Sequence, residues 1–225
     1  MVGDNVRLTG QFYSKLIFNT SQSSSFKVFE MSIKSATTQE KILAAAEVMF
    51  ASKRFHEVLM DDIALGAGVG KGTIYRYFKN KEELYAALLK KASTELMKLI
   101  DNAVELQVSC KNKLIVILET SINLFDARPH LFDLILHAET FQRTSVEFPW
   151  QETRWNVIQL VESLFKQAED QKEFIIQNPK ESSLILLGGL RAIIRFGHKP
   201  REKQLCNDIV HHFLNGFSKS LPLAT

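Results

Sequence analysis

The sequence is poor in cysteine and has no long apolar run. Its two cysteines, Cys110 and Cys206, lie far apart and form no CxxC pair, which argues against a disulfide framework and against a zinc site. No apolar stretch reaches the roughly 18–20 residues that a membrane-spanning helix requires, and the longest, residues 184–190, ends at Arg191. We therefore expect a cytoplasmic protein in a reducing compartment, without a membrane partner.

Residue patterns that carry enzyme chemistry are also scarce. The sequence contains no pairing of a nucleophile with a base, no carboxylate dyad at useful spacing and no cluster of metal-ligating side chains. His130 and His137 are seven residues apart, two turns on one helical face, which is too loose for a metal pair. We expect no enzyme activity, no cofactor and no metal. The net charge of +3 is only mildly basic, so any nucleic-acid-binding surface must be local.

From Thr37 onward, apolar residues recur at helical spacing and strand-like alternation is missing. Thr37 or Thr38 is a suitable N-cap for the first helix. Two short helices are predicted around a glycine-rich stretch, followed by a long helix at 81–106. Later helices are predicted at residues 110–126, 128–142, 151–171, 180–196 and 202–219. The fold class is therefore all-α.

Residues 1–35 differ from the rest because they are polar and serine-rich in part and sustain no helical period. Disorder is the default expectation for such a segment. Two origins are open: a tail without its own fold, or a spurious extension from a gene start placed too early, with Met31 as the natural start. Peptides from upstream of Met31 in the native protein would refute the second.

Residues 65–73, LGAGVGKGT, have the look of a phosphate-binding loop but do not match one. In a P-loop aligned on Gly70 and Lys71, position 65 would be glycine and position 72 serine or threonine, whereas the chain has Leu65 and Gly72. The buried strand that should precede such a loop is missing too. The dinucleotide-binding glycine pattern fails as well, so nucleotide binding is not expected.

A helix-turn-helix accounts for the same positions. Two helices that cross steeply need a small residue at their contact, which Ala64 provides. The turn four residues later needs a positive φ, which Gly68 adopts at low cost. The predicted structural residues of this motif are Ile63, Ala64, Gly68, Val69, Ile74 and Phe78.

The segment DDIALGAGVGKGTIYRYFKNKEELYAAL resembles the DNA-binding module of the TetR family of bacterial transcription regulators, which ends in a kgtlYryFksKeeL signature. The resemblance covers about residues 38–90 and rests on the ordered set Ala64, Gly68, Val69, Gly72, Tyr75, Phe78, Lys81 and Leu84. It implies a three-helix DNA-binding domain at 36–91 and a helical ligand-binding and dimerisation domain at 92–225.

The resemblance also implies contacts with double-stranded DNA. Lys71 and Thr73 would lie at base edges or flanking phosphates, and Arg76 would reach a guanine edge or a phosphate. Two tyrosines would contact the DNA backbone, Gly72 would let the protein backbone come close, and Lys81 would hold a phosphate. The predicted DNA-binding residues are Lys71, Gly72, Thr73, Tyr75, Arg76, Tyr77 and Lys81.

One position departs from the family pattern. Family members carry a Thr or Ser pair just before the first helix of the motif, where this chain has Val58 and Leu59. A hydroxyl there would cap the helix, worth about 1 kcal/mol, and would bind a phosphate. Asp61 and Asp62 compensate in part through the helix dipole. We therefore expect the motif to form, with one phosphate contact fewer.

The last two helices are the predicted dimer interface. Residues 182–196 are apolar around most of the helix circumference, and the final helix carries an apolar stripe. The members of that stripe are Ile209, Val210, Phe213, Leu214 and Phe217. The resemblance implies a homodimer in which these helices pair with their symmetry mates, with recognition helices about 34–36 Å apart on an inverted-repeat operator.

Aromatic and histidine residues gather between positions 125 and 165. The resemblance places a small-molecule effector in this region, and an aromatic-rich cavity would suit a hydrophobic or aromatic molecule. For each residue taken alone, the alternative is a plain core position. The predicted pocket residues are Phe125, His130, Phe132, His137, Phe141, Trp155 and Phe165, with Trp150 beside them.

Together these features predict a sequence-specific DNA-binding transcription regulator. The leading hypothesis is a homodimeric repressor that a small hydrophobic effector releases from its operator. The alternatives are a DNA-bound scaffolding protein that recruits a protein partner, or an activator, neither of which would sense a small molecule.

Overall fold

The computed structural model of the protein describes residues 37–140 and 149–216. The predictions for residues 1–35, for Phe141 and for Phe217 lie outside these ranges. The helices are α1 (Thr38–Ser52), a 3-10 helix (Phe55–Glu57), α2 (Met60–Gly66), α3 (Lys71–Tyr77), α4 (Lys81–Glu105), α5 (Cys110–Ala127), α6 (Pro129–Thr140), α7 (Pro149–Asp170), α8 (Pro179–Phe196) and α9 (Leu205–Asn215). Because the described residues contain no strand, the all-α prediction is confirmed.

Local side-chain hydrogen bonds define the helix starts. Thr37 caps α1: its Oγ1 accepts from the Glu40 backbone N–H at 3.2 Å, and the Glu40 carboxylate accepts from the Thr37 backbone N–H at 2.7 Å. This reciprocal pair is a capping box. The Asn80 side chain caps α4, and the Ser109 hydroxyl caps α5. These caps explain why the predicted starts at 81 and 110 are correct.

The N-terminal core lies between α1, α2, α3 and the first half of α4. Ile42, Ile63, Ile74 and Leu84 are each fully buried in it. Burying such a side chain contributes roughly 1.5–3 kcal/mol. This small core therefore holds the two short helices of the motif at a fixed angle.

The C-terminal core lies in a bundle in which α5 contacts α4, α7 and α9, while α8 packs along α7. Leu114, Ile117, Val161 and Val210 are fully buried there. Helix α4 spans both cores without a break over 25 residues. The predicted arrangement of an N-terminal helix-turn-helix domain followed by a helical bundle is confirmed.

The last helix begins at Leu205 and not at the predicted 202. Arg201 accounts for the difference, because its guanidinium donates to the Asp126 carboxylate at 2.8 and 3.0 Å. It also donates to the carbonyl oxygens of Ile193 and Ile194 near the end of α8. These hydrogen bonds of Arg201 hold the loop between the end of α8 and the start of α9 at Leu205. Within the described ranges, no helix is both long and apolar enough to cross a membrane.

Candidate nucleic-acid interface

The turn between α2 and α3 depends on Gly68. Its φ is +66°, a conformation that side-chain-bearing residues rarely adopt. The turn is closed by two backbone hydrogen bonds, from Gly68 N–H to the Leu65 carbonyl at 3.1 Å and from Val69 N–H to the Ala64 carbonyl at 3.0 Å. Ala64 is buried, as a close crossing of the two helices requires. The glycine-rich stretch therefore makes a helix-turn-helix corner.

Helix α3 presents opposite faces to the core and to solvent. Ile74 is fully buried, Phe78 at the C-cap is buried, and Val69 packs against the same core. On the other face, Lys71, Gly72, Tyr75, Arg76 and Tyr77 are exposed, and Thr73 is half-buried. A Cβ added at Gly72 would meet no atom within 4 Å. Six of the seven predicted DNA-binding residues thus lie on one accessible surface.

Charge on this surface is partly neutralised within the protein. The Lys71 ammonium donates to the Asp61 carboxylate at 2.8 Å, and this hydrogen bond raises the pKa of Lys71. Lys53 is paired in the same way with Asp62 at 3.2 Å. Arg76 makes no ion pair among the described residues and lies over the Tyr77 ring at 5.6 Å. The available positive charge is therefore concentrated at the C-terminal end of α3.

Lys81, the seventh predicted DNA-binding residue, makes hydrogen bonds within the protein. Its ammonium donates to the carbonyl oxygens of Phe55 at 2.6 Å and Val58 at 3.0 Å, and it lies 4.5 Å from the centre of the Phe55 ring. The Phe55 carbonyl also accepts from the Val58 N–H at 3.4 Å, so the ammonium is its second donor. The Lys81 side chain thus connects the segment between α1 and α2 to α4.

Val58 and Leu59, which replace the usual hydroxyl pair, directly precede α2. Val58 is buried, and Leu59 is the N-cap of α2 with 58% of its surface exposed and no side-chain cap bond. The first turn of α2 carries Asp61 and Asp62 instead, whose negative charge is favourable at a helix N-terminus.

The predicted effector-pocket residues do not converge on one cavity. Phe125 packs edge-on against Phe132 and Trp150, with ring centres 5.4 and 5.6 Å apart. Phe165 lies elsewhere, stacked on Phe213 of α9 at 5.9 Å. Trp155 is half-exposed under the ammonium of Lys180. The aromatic positions are thus divided between two packed ring clusters and the surface.

The two histidines lie on the face of α6 that contacts the N-terminal domain. The His130 Nε2 lies 3.0 Å from the Glu47 carboxylate of α1. His137 lies against Phe55 and Tyr85, with ring centres 5.0 and 6.3 Å away. Burial, followed by the nearby His56, lowers the pKa of His137. His130 and His137, seven residues apart on one face of α6, therefore both contact the N-terminal domain. Sequence periodicity places them on one face but does not reveal these partners.

Two further features bear on ligands. A groove of about 500 Å³, open to solvent, lies between α4 and α5, where Leu99, Ala103 and Leu124 line it. No group of three or more His, Cys, Asp or Glu side chains that could hold a metal ion occurs among the residues that the structure describes.

Helix α8 exposes an apolar stripe whose central residues are small. Ile185 and Phe196 at its two ends are 67% and 82% exposed, and Gly188, Gly189 and Ala192 between them are exposed as well. In α9, by contrast, Val210 is buried and Phe213 stacks inward. The described members of the predicted stripe, Ile209, Val210, Phe213 and Leu214, therefore pack against the core of their own chain, and α8 carries an open apolar face.

Comparison with known proteins agrees with this geometry. Residues 42–88 match the family model described as bacterial regulatory proteins, tetR family, which covers the helix-turn-helix and the start of α4. This segment is thus a DNA-binding module of the TetR family. The family predicted from the motif around the glycine turn is thereby confirmed.

Individual relatives extend the likeness beyond the motif. The fatty acid metabolism regulator protein of Bacillus subtilis is 29% identical over 102 residues, which is 45% of this chain and 52% of that protein. This chain thus spans about half the length of that relative. Among solved structures, the TetR family regulator PfmR of Thermus thermophilus has a TM-score of 0.69 at 20% identity, covering 82% of this chain and 100% of that one. The regulator FadR of Bacillus subtilis, in complex with stearoyl-CoA, has a TM-score of 0.65 at 19% identity, covering 79% and 98%. Both show the fold.

Proposed function

We propose that this protein is a sequence-specific DNA-binding transcription regulator that acts as a homodimeric repressor. The observation that carries the proposal is the exposed face of α3, where lysine, arginine and tyrosine side chains stand opposite the buried Ile74. A helix of this kind enters the major groove and contacts base edges and phosphates through its outward side chains. Lys71, Thr73, Tyr75, Arg76 and Tyr77 are the residues assigned to this contact.

The second copy is assigned to α8. Its open apolar stripe would be costly in water, and the small residues let another helix approach closely. A two-fold dimer built there presents two α3 helices to successive major grooves, so the operator is an inverted repeat.

The experiment is a titration of purified protein into duplex DNA from the region upstream of its own gene, followed by fluorescence anisotropy at several salt concentrations. Each phosphate contact contributes about −0.9 to the slope of log affinity against log salt. Lys71→Ala should weaken binding and reduce that slope by at most about 1 per subunit, because Asp61 already neutralises part of the Lys71 charge. The matched control is Lys166→Ala, since this exposed lysine lies on α7 in a pair with Glu162. Specific binding that survives alanine at Lys71, Thr73 and Tyr75 would contradict the assignment.

A small hydrophobic or aromatic effector is proposed to release the DNA. Support comes from the ring cluster of Phe125, Phe132 and Trp150, which lies between α5, α6 and α7, and from the acyl-CoA bound by FadR. Because the rings contact one another, ligand entry requires α6 or α7 to move. Stearoyl-CoA is a suitable first probe: it should raise the melting temperature and lower DNA affinity.

The packed bundle favours a second candidate, a DNA-bound scaffold or an activator that recruits a protein partner without sensing a ligand. Its supporting observation is that the predicted pocket residues divide between separate packed clusters. A panel of acyl and aromatic compounds that changes neither melting temperature nor DNA affinity would favour this candidate over the sensor.

A further inference from the structure

Helix α6 is joined to the DNA-binding domain by a cluster of four ionisable side chains at its first turn. The Glu47 cluster consists of Glu47 of α1, Glu95 of α4, Arg128 at the end of α5 and His130 of α6. Arg128 binds Glu47 with two parallel hydrogen bonds, Nε to Oε1 at 2.5 Å and Nη2 to Oε2 at 2.8 Å. Its remaining Nη1 donates to Glu95 at 2.6 Å, and His130 adds the bond to Glu47.

The interaction between Glu47 and Arg128 is stronger than that of an exposed surface ion pair. The side chains of Glu47 and Arg128 are each only 20% exposed, and two-pronged arginine–carboxylate pairs fix orientation as well as distance. The pKa of Glu47 shows the balance: burial raises it, but hydrogen bonds from His130 and Arg128 prevail and lower it to about 2. Glu47 is therefore a charged anchor throughout the neutral range.

Further contacts lie one and two turns beyond His130 along α6, at Leu134 and His137. The Tyr85 hydroxyl of α4 donates to the Leu134 carbonyl of α6, and the His137 ring packs against Phe55 in the loop before α2. That loop is the one that Lys81 fastens to α4. Helix α6 thus contacts the DNA-binding domain near both of its ends. Two separate contacts on one helix restrain both rotation and translation of the DNA-binding domain relative to α6.

We propose that Glu47 is a positioning residue that makes the DNA-binding domain and α6 move as one body and so sets the separation of the two α3 helices in the dimer. The proposal rests on the proposed function, because a fixed separation matters only for a dimer on two half-sites. Without the Glu47 cluster, the DNA-binding domain of each subunit would retain its DNA contacts, but its orientation relative to α6 would vary.

The first measurement needs no DNA. Nitroxide labels at Ala44→Cys in α1 and Gln159→Cys in α7, both exposed positions, report the distance between the domains within one chain when labelled protein is diluted with unlabelled protein. The native cysteines are buried. Glu47→Gln, which keeps shape and removes charge, should broaden this distance distribution. Glu162→Gln is the matched control, because it breaks an ion pair within α7 alone.

The second measurement uses duplexes selected from random DNA by the unaltered protein, with one base pair inserted between the half-sites. The insertion shifts one half-site by about 3.4 Å and turns it by about 34°. The unaltered protein and Glu162→Gln should lose at least ~10-fold in affinity, whereas Glu47→Gln should lose ~3-fold or less. Affinity for unrelated DNA should be equal in all three proteins.

An unchanged distance distribution in Glu47→Gln would overturn the proposal. The double variant with Arg128→Gln should change the distribution by less than the sum of the two single variants, because both changes break the Glu47–Arg128 pair; a fully additive effect would also contradict the proposal. If the distance distribution broadens but no specific DNA is selected, the coupling of the domains by the Glu47 cluster is supported and the proposed function is contradicted. Equal insertion penalties together with a broadened distribution would reject the assigned role in half-site spacing.

Discussion

Acid should lower the free energy of unfolding of this protein, in part by protonating Glu47. The carboxyl pKa in the folded chain is about 2, against a usual value of 4.5. A depressed pKa in the folded state means that the stabilisation is present above pH 4.5 and is lost as the pH falls toward 2. Since each pKa unit corresponds to about 1.4 kcal/mol, the carboxylate contributes on the order of 3 kcal/mol at neutral pH.

The assay is urea unfolding followed by circular dichroism at a fixed protein concentration, from pH 7 to pH 2.5. Protein concentration is fixed because dimerisation would otherwise change the apparent stability. Glu47→Gln should unfold about 3 kcal/mol more easily than the unaltered protein at pH 7, and the difference should shrink to about 1 kcal/mol at pH 2.5. Other carboxylates titrate in both proteins and cancel from the difference.

Glu162→Gln provides the reference for this experiment, because its partner Lys166 is exposed and the pair lies within one helix. Its loss should cost at most ~0.5 kcal/mol at pH 7. A difference between Glu47→Gln and the unaltered protein that stays constant from pH 7 to pH 2.5 would refute the assignment of this acid sensitivity to the Glu47 cluster.

Three further outcomes follow from single side chains. Gly68→Ala should destabilise the fold by about 1 kcal/mol in thermal unfolding because alanine is strained at a φ of +66°, while Gly72→Ala, with open space around its Cβ, should not; equal effects would contradict the turn assignment. Lys81→Met should lower the urea midpoint by the equivalent of roughly 1–3 kcal/mol, because the Phe55 and Val58 carbonyls lose a charged donor; wild-type stability would show that water replaces the ammonium at no cost. Gly189→Arg should yield folded monomers in light scattering, since added atoms meet open space within the chain; an intact dimer would exclude α8 from the interface.

The helix-turn-helix could be predicted because its determinants are local. A capping threonine, a glycine at the turn and apolar residues one helical turn apart lie within a few positions of one another, so short-range geometry decides between a phosphate loop and a helix corner. Gly68 with its positive φ and the fully buried Ile74 both lie where this pattern places them.

The roles of Lys81, His130 and His137 could not be predicted in the same way. Glu47 and Arg128 are 81 positions apart in sequence, and nothing in the spacing of either helix reveals its partner. A histidine that faces a carboxylate across a domain boundary has the same sequence pattern as one that lines a cavity. Only packing between α1 and α6 distinguishes the two.

The continuity of α4 has a mechanical consequence. Twenty-five residues without glycine or proline make a stiff rod about 37 Å long. Tilting this rod by about 5° around its far end would sweep its near end through about 3 Å, nearly the rise of one base-pair step. A small tilt at the bundle end of α4 would therefore shift its DNA-binding end by nearly one base-pair step.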